Sequence, residues 1–184
     1  MSSALSISSQ LSYLRVKGIM EHFYEASRAY NVPVSLLLAI ASRESNMGLA
    51  LDGNWTGDNG NGIGIMQIDR RYHSGFTSNH ANKDHRANVL YGSKFLADLI
   101  AKFGGQLTPA VAAYNAGYAK VQNTVSAGID PNLVTTGQNY AFDVLRRKEI
   151  VESILGITKA SAASMVILPL LITGFISYQI FNTQ

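Results

Sequence analysis

The chain has 184 residues, enough for one domain with a continuous core and too few for two comfortable ones. Apolar residues make up 47% and charged residues 15%, which excludes a solvated or intrinsically disordered chain. The net charge of +3 is small and its basic residues are scattered, so no nucleic-acid partner is expected. The lack of cysteine excludes disulfides, thiolate metal sites and a cysteine nucleophile.

Ala4 to Ile19 has no long apolar run behind a basic start, so a secretory signal is not expected. Leu11 to Tyr30 carries apolar residues at helical spacing and is predicted to be one amphipathic helix ending near Asn31. A second helix is expected over Val32 to Met47, capped by Asn31, with Pro33 in its first turn and Gly48 stopping it. Asp52 to Gly64 turns glycine-rich, and the apolar run Ile63 to Ile68 is too short for a helix, so a small hairpin or ribbon is expected there. Ala87 to Phe103 places Leu96, Leu99, Ile100 and Phe103 on one face, and Thr108, Pro109 and Gly117 bracket a short helix. Asn139 to Leu155 is the last helix before Gly156 to Lys159.

Nothing from Ala160 to Gln184 carries a charge. As a helix, Ala160 to Phe181 would reach about 33 Å, close to the ~30 Å hydrocarbon core of a bilayer. A buried core helix is the alternative. Pro169 and Gly174 inside the run, with Tyr178 and Phe181 near one end, fit lipid better, so a membrane span over 160–181 is expected after a domain over 1–156.

The chemistry centres on Glu44. Leu37, Ile40 and Ala41 precede it by seven, four and three positions, which puts the carboxylate on the apolar stripe at the negative end of its helix. Desolvation there keeps a carboxyl protonated near neutral pH, as a general acid for glycoside cleavage requires. Spacing alone leaves open an ordinary helix-end ion pair with Arg43 or Arg70.

Ser42-Arg43-Glu44-Ser45 closing with Gly48 resembles the helix-end signature of goose-type lysozymes. Two further blocks follow in the family's order, Gly60-Asn61-Gly62-Ile63-Gly64-Ile65-Met66-Gln67-Ile68-Asp69 and Ala113-Tyr114-Asn115-Ala116-Gly117. Asn139-Tyr140-Ala141 with Asp143 is a fourth, shorter match. The resemblance covers roughly Val32 to Val151 and extends to lytic transglycosylases of the same fold. It implies a mostly α, α+β lysozyme-like fold with a small glycine-rich β element. The implied partner is the glycan of peptidoglycan, cut at the β-1,4 bond between N-acetylmuramic acid and N-acetylglucosamine with no cofactor. Gln67, Tyr114, Asn115 and Tyr140 are implied to orient sugar substituents or hold Glu44, although capping and core packing would also account for them. Gly60, Gly62 and Gly64 would let backbone approach a sugar closely, or serve an ordinary hairpin turn.

Inverting hydrolysis needs a second carboxylate to activate water, and Asp58 and Asp69 stand where the family carries acidic residues. The stretch from Glu44 to Asp58 is one residue longer than the family pattern, so Asp69 is the better placed. A transglycosylase needs no such base, because the substrate's C6 hydroxyl attacks and leaves a 1,6-anhydro end. The two Asp residues favour hydrolysis, and turn chemistry is the alternative account of both. His73, His80 and His85 lack the spacing of a helical zinc pair, so no metal is expected, and no Gly-x-Ser-x-Gly elbow supports a serine nucleophile. Rival readings are a silent glycan-binding module and a pore-former acting through its tail. Arg146, Arg147, Lys148 and Lys159 before the span would leave the domain on the cytoplasmic side, away from the wall. Anchoring in the membrane of a virus particle that meets the bacterial wall would remove that conflict.

Overall fold

In the computed structural model, which describes residues 2–157, the chain is mostly helical, with one small sheet between its third and fourth helices. The first segment is two helices, α1 (Ser2–Val16) and α2 (Met20–Tyr30), where one was expected. Gly18 adopts φ +68°, and the Ile19 amide closes back on the Leu14 carbonyl at 2.9 Å, a left-handed helix end that glycine makes cheaply. The break lets Leu11 and Leu14 from α1, and Ile19 and Phe23 after it, all reach the core.

Helix α3 (Val34–Ser45) is the buried axis of the domain. Every residue from Ser35 to Ser42 is buried, as the run Leu36-Leu37-Leu38-Ala39-Ile40-Ala41 demands of a helix apolar on all sides. It ends two residues earlier than expected. Asn46 and Met47 take left-handed backbone, with φ 50° and 56°, before Gly48 is reached. The Met47 amide bonds the Ala41 carbonyl at 2.9 Å, which turns the chain sharply just after Glu44.

Three short antiparallel strands follow, β1 (Thr56–Gly57), β2 (Gly62–Ile63) and β3 (Ile68–Asp69). Gly62 pairs with both Gly57 and Asp69, and Ile63 with both Thr56 and Ile68. A short turn, α4 (Ser74–Thr77), leads to α5 (His85–Lys102), whose N-cap Asp84 accepts the Ala87 amide at 3.0 Å. Helix α5 packs against α2 on one side and α6 (Leu107–Ala116) on the other. The expectation had no helix at α7 (Tyr118–Ser126), which Gly117 joins to α6. Helix α8 (Tyr140–Leu155) closes the described chain, and the compact unit ends at Val151.

The expected C-terminal membrane helix, and the membrane-anchored location drawn from it, are corrected. Among the described residues no helix is long and apolar enough to cross a membrane, and 160–181 lies outside them. An all-apolar run is compatible with several environments, so hydropathy alone could not establish a span.

Candidate active site

The loop from Ile63 to Ile68 is apolar and buried except at the half-buried Gln67, so its peptide groups must find partners inside the protein. Three helices supply them. Ser45 of α3 donates to the Ile65 carbonyl at 2.8 Å, and Tyr114 of α6 donates to the Met66 carbonyl at 2.9 Å. Asn88 of α5 does two jobs, accepting the Met66 amide and donating to the Ile63 carbonyl, both at 2.8 Å. A Cβ on Gly64 would lie 2.5 Å from Asn88 Cγ, and one on Gly62 would lie 2.2 Å from Gln67 Oε1. The space above these two glycines is thus filled by side chains of the protein itself.

This clamped loop sets Gln67 and Asp69 along a groove of roughly 590 Å3, with Tyr114 and Asn115 on the other wall. Those four of the expected site residues line it together. Glu44, Asp58, Gly64 and Tyr140 do not. Gln67 Nε2 donates to the Gly64 carbonyl at 2.7 Å, and Asn115 Oδ1 accepts the Thr136 amide at 2.8 Å, so both amides also hold loops in place.

Glu44 sits half-buried on the last turn of α3, one residue before Ser45. Its carboxylate accepts a short hydrogen bond from the hydroxyl of Tyr140, which opens α8. Burial pushes the Glu44 carboxyl from an ordinary 4.5 up to about 7, against the pull of the Tyr140 hydroxyl and the Arg43 charge. Burial and the Glu44 charge together hold the Tyr114 phenol well above its usual range, which places Glu44 within electrostatic reach of the groove wall. Tyr140 is raised for the same reasons, so both phenols stay neutral donors.

No ion pair joins Glu44 to Arg43 or Arg70 among the described residues. Arg43 is turned onto Asp143, Nε to Oδ2 3.4 Å, with its guanidinium 5.5 Å from the centre of the Tyr140 ring. Asp143 also takes Arg146 at 2.9 Å and Arg147 at 2.7 Å. Desolvation opposes its ionisation, but the arginines outweigh it and hold its carboxyl below the usual range. Arg147 then donates to Ser42 at 2.8 Å, and Ser42 to Gln10 at 2.7 Å. This chain of contacts ties α8 to α3 just ahead of the acid.

Asp69 and Asp58 share one cation. Arg71 reaches Asp69 Oδ2 at 2.6 Å and Asp58 Oδ2 at 3.1 Å. The Arg71 hydrogen bond holds the Asp69 carboxyl below its usual range despite some desolvation, so Asp69 is ionised at neutral pH. Sequence reasoning missed Asn88 and Arg71, and it quoted Ser45 in the helix-end signature without giving it a role. Asn88 left a signal as a polar residue on the buried stripe of Val89, Gly92, Leu96 and Leu99.

One half-buried acid kept near neutrality thus stands within electrostatic reach of a groove wall on an α+β scaffold. The lysozyme g family profile matches residues 10–152. The chain belongs to the lysozyme g family. It is 33% identical over 127 residues to lysozyme G of Dromaius novaehollandiae, covering 64% of this chain and 58% of that one. Lysozyme g of Struthio camelus is 35% identical over 127 residues, with the same coverage of each chain. Lysozyme g of Cyprinus carpio is 30% identical over 137 residues, 68% of both chains. The match thus spans a little over half the length of the two bird lysozymes.

The Tyr140 hydroxyl stabilises the ionised Glu44, so removing it raises the carboxyl further above about 7. Tyr140→Phe is expected to move the alkaline limb of the pH–rate profile upward, because the acid keeps its proton to higher pH. An unmoved or lowered limb would show that Tyr140 does not set the acid.

Proposed function

We propose that the chain is a muramidase that cuts the β-1,4 bond between N-acetylmuramic acid and N-acetylglucosamine in peptidoglycan, with Glu44 as general acid. The observation that carries this reading is a carboxyl whose burial lifts it to about 7 at the end of α3, since that group can still hold its proton at neutral pH. Glu44 gives the proton to the bridging oxygen as the bond from that oxygen to the anomeric carbon breaks. The ionised Asp69 takes a proton from water as the water attacks the anomeric carbon from the other face. Asp69 then releases its proton to solvent and Glu44 regains one, which resets both groups. Gln67, Tyr114 and Asn115 line the groove that receives the glycan, and no cofactor takes part in these steps.

One observation favours a second reading. Arg71 engages both Asp69 and Asp58, its hydrogen bond draws basicity away from Asp69, and a lytic transglycosylase needs no such base. Mass spectrometry of digested peptidoglycan separates the two, because a reducing end and a 1,6-anhydro end differ by one water. Reducing ends are expected from the wild type. Asp69→Asn is expected to slow their release by about 10²-fold, within the usual worth of a general base. Anhydro ends with an Asp69→Asn rate near wild type would replace hydrolysis by transglycosylation and leave Asp69 as Arg71's anchor.

A further inference from the structure

A second concavity, of about 280 Å3, lies between the turn Gly53–Trp55 and the segment Ala81–Lys83 just ahead of α5. It shares no lining residue with the groove. At its wall stands Trp55, the sole tryptophan of the chain. Trp55 has left-handed backbone, φ 60°, which a bulky residue rarely adopts. The indole is wedged in place: a Cβ on Gly48 would come within 2.9 Å of it, and the His85 ring centre is 4.1 Å away. Both rims are preset as well. The Asp52 carboxylate accepts the Asn54 and Thr56 amides at 3.0 and 2.8 Å, while Asp84 caps α5.

The side chains of Asn54, Asn82 and Lys83 form no hydrogen bond or ion pair among the described residues. Two carboxamides and an ammonium thus line the cavity together with a fixed aromatic, a mixture of one apolar wall and a few polar groups of the kind found in small-ligand sites. The volume falls just under the roughly 300–1,000 Å3 of drug-sized ligand sites, which suits a single pyranose. Asp52 and Asp84 put two negative charges at the rims against the one positive charge of Lys83, so an acidic sugar is disfavoured.

We infer that this cavity is a second glycan site, outside the groove, that takes one neutral N-acetylhexosamine unit, with Trp55 as platform and Asn54, Asn82 and Lys83 bonding its hydroxyl and acetamido groups. The inference deepens the muramidase reading, since it assigns a neutral unit of the same strand to a place apart from the acid. Trp55, as the sole tryptophan, makes the site report on itself.

The test titrates the Glu44→Gln chain with the N-acetylglucosamine trimer and follows tryptophan emission, with amide NMR shifts recorded in parallel. A saturable change is expected with a Kd on the order of 1 mM, and shifts clustered at 53–55 and 81–83. Adding Asn54→Ala and Asn82→Ala together should weaken it about tenfold, and free N-acetylmuramic acid should bind about tenfold less well than N-acetylglucosamine. No saturation by about 10 mM, shifts confined to the groove, unchanged affinity in the double variant, or equal binding of the two sugars would each overturn the proposal. The NMR arm uses no variant of the cavity, so misfolding cannot mask the answer. Binding at Trp55 together with a wild-type chain that does not cut peptidoglycan would sink the catalytic reading alone, and wild-type cutting without such binding would sink the second site alone.

Discussion

Glu44→Gln is expected to lower the rate of peptidoglycan cleavage by about 10⁴-fold, the upper end of what a positioned proton donor contributes. The amide has the shape of the carboxyl and can still accept the Tyr140 hydroxyl, so the contact to α8 survives. What is lost is the proton. Stability gives the control. The folded carboxyl titrates at about 7 against an ordinary 4.5, so its favourable contribution is fully present below about pH 4.5 and is lost as pH rises through about 7. The amide does not titrate. Relative to wild type, the variant should therefore melt higher above pH 7 than it does below pH 4.5. A variant that cleaves within a few-fold of wild type would remove Glu44 from the mechanism, whatever its melting curve.

Asn88→Ala is expected to be the most damaging single change away from the acid. It leaves the Met66 amide and the Ile63 carbonyl buried without partners. At about 1–3 kcal/mol for each stranded group, the loss is about 2–6 kcal/mol, a large part of a small domain's stability. Urea denaturation should show a lower midpoint at unchanged slope. Activity should fall with it, because Gln67 lies on the loop that Asn88 clamps and Asp69 follows directly after it. Asn88→Asp keeps the acceptor and loses the donor, so it should fall between the two. A loss under about 0.5 kcal/mol for the alanine variant, the size of an ordinary surface change, would mean that the loop finds other partners.

Local signals carried the reading as far as local physics goes. The run from Leu36 to Ala41 can only be a buried helix, and Glu44 follows it by less than one turn, so both the core and the anomalous carboxyl were visible in the residues. The paired strands were visible in Ile63 and Ile68 with their flanking glycines. Gly18 was harder, because a glycine inside a helical pattern is tolerated or terminal with equal ease, and only the fit of Ile19 into the core decides. Asn46 and Met47 hid the end of α3, since non-glycine residues seldom adopt left-handed backbone. Long-range pairs leave no periodic trace at all. Asn88 meets the loop across 22 and 25 residues and Tyr140 meets Glu44 across 96, so of these only Tyr140 entered, through resemblance to a family. The way Arg71 couples Asp58 to Asp69 is likewise a product of the folded turn rather than of any pattern along the chain.

The wiring of α8 to α3 has a consequence in time. Tyr140 lies 96 residues after Glu44, and Arg147 lies 105 residues after the Ser42 hydroxyl it grips. During synthesis the acid leaves the ribosome long before the segment that completes its surroundings. A growing chain that has not yet reached Tyr140 holds Glu44 without its phenol partner and without the Asp143 carboxylate that draws Arg43 aside. The same holds for a chain clipped ahead of α8. The site is assembled last although its central residue is made early, so a cell producing this protein carries no finished acid on an unfinished chain.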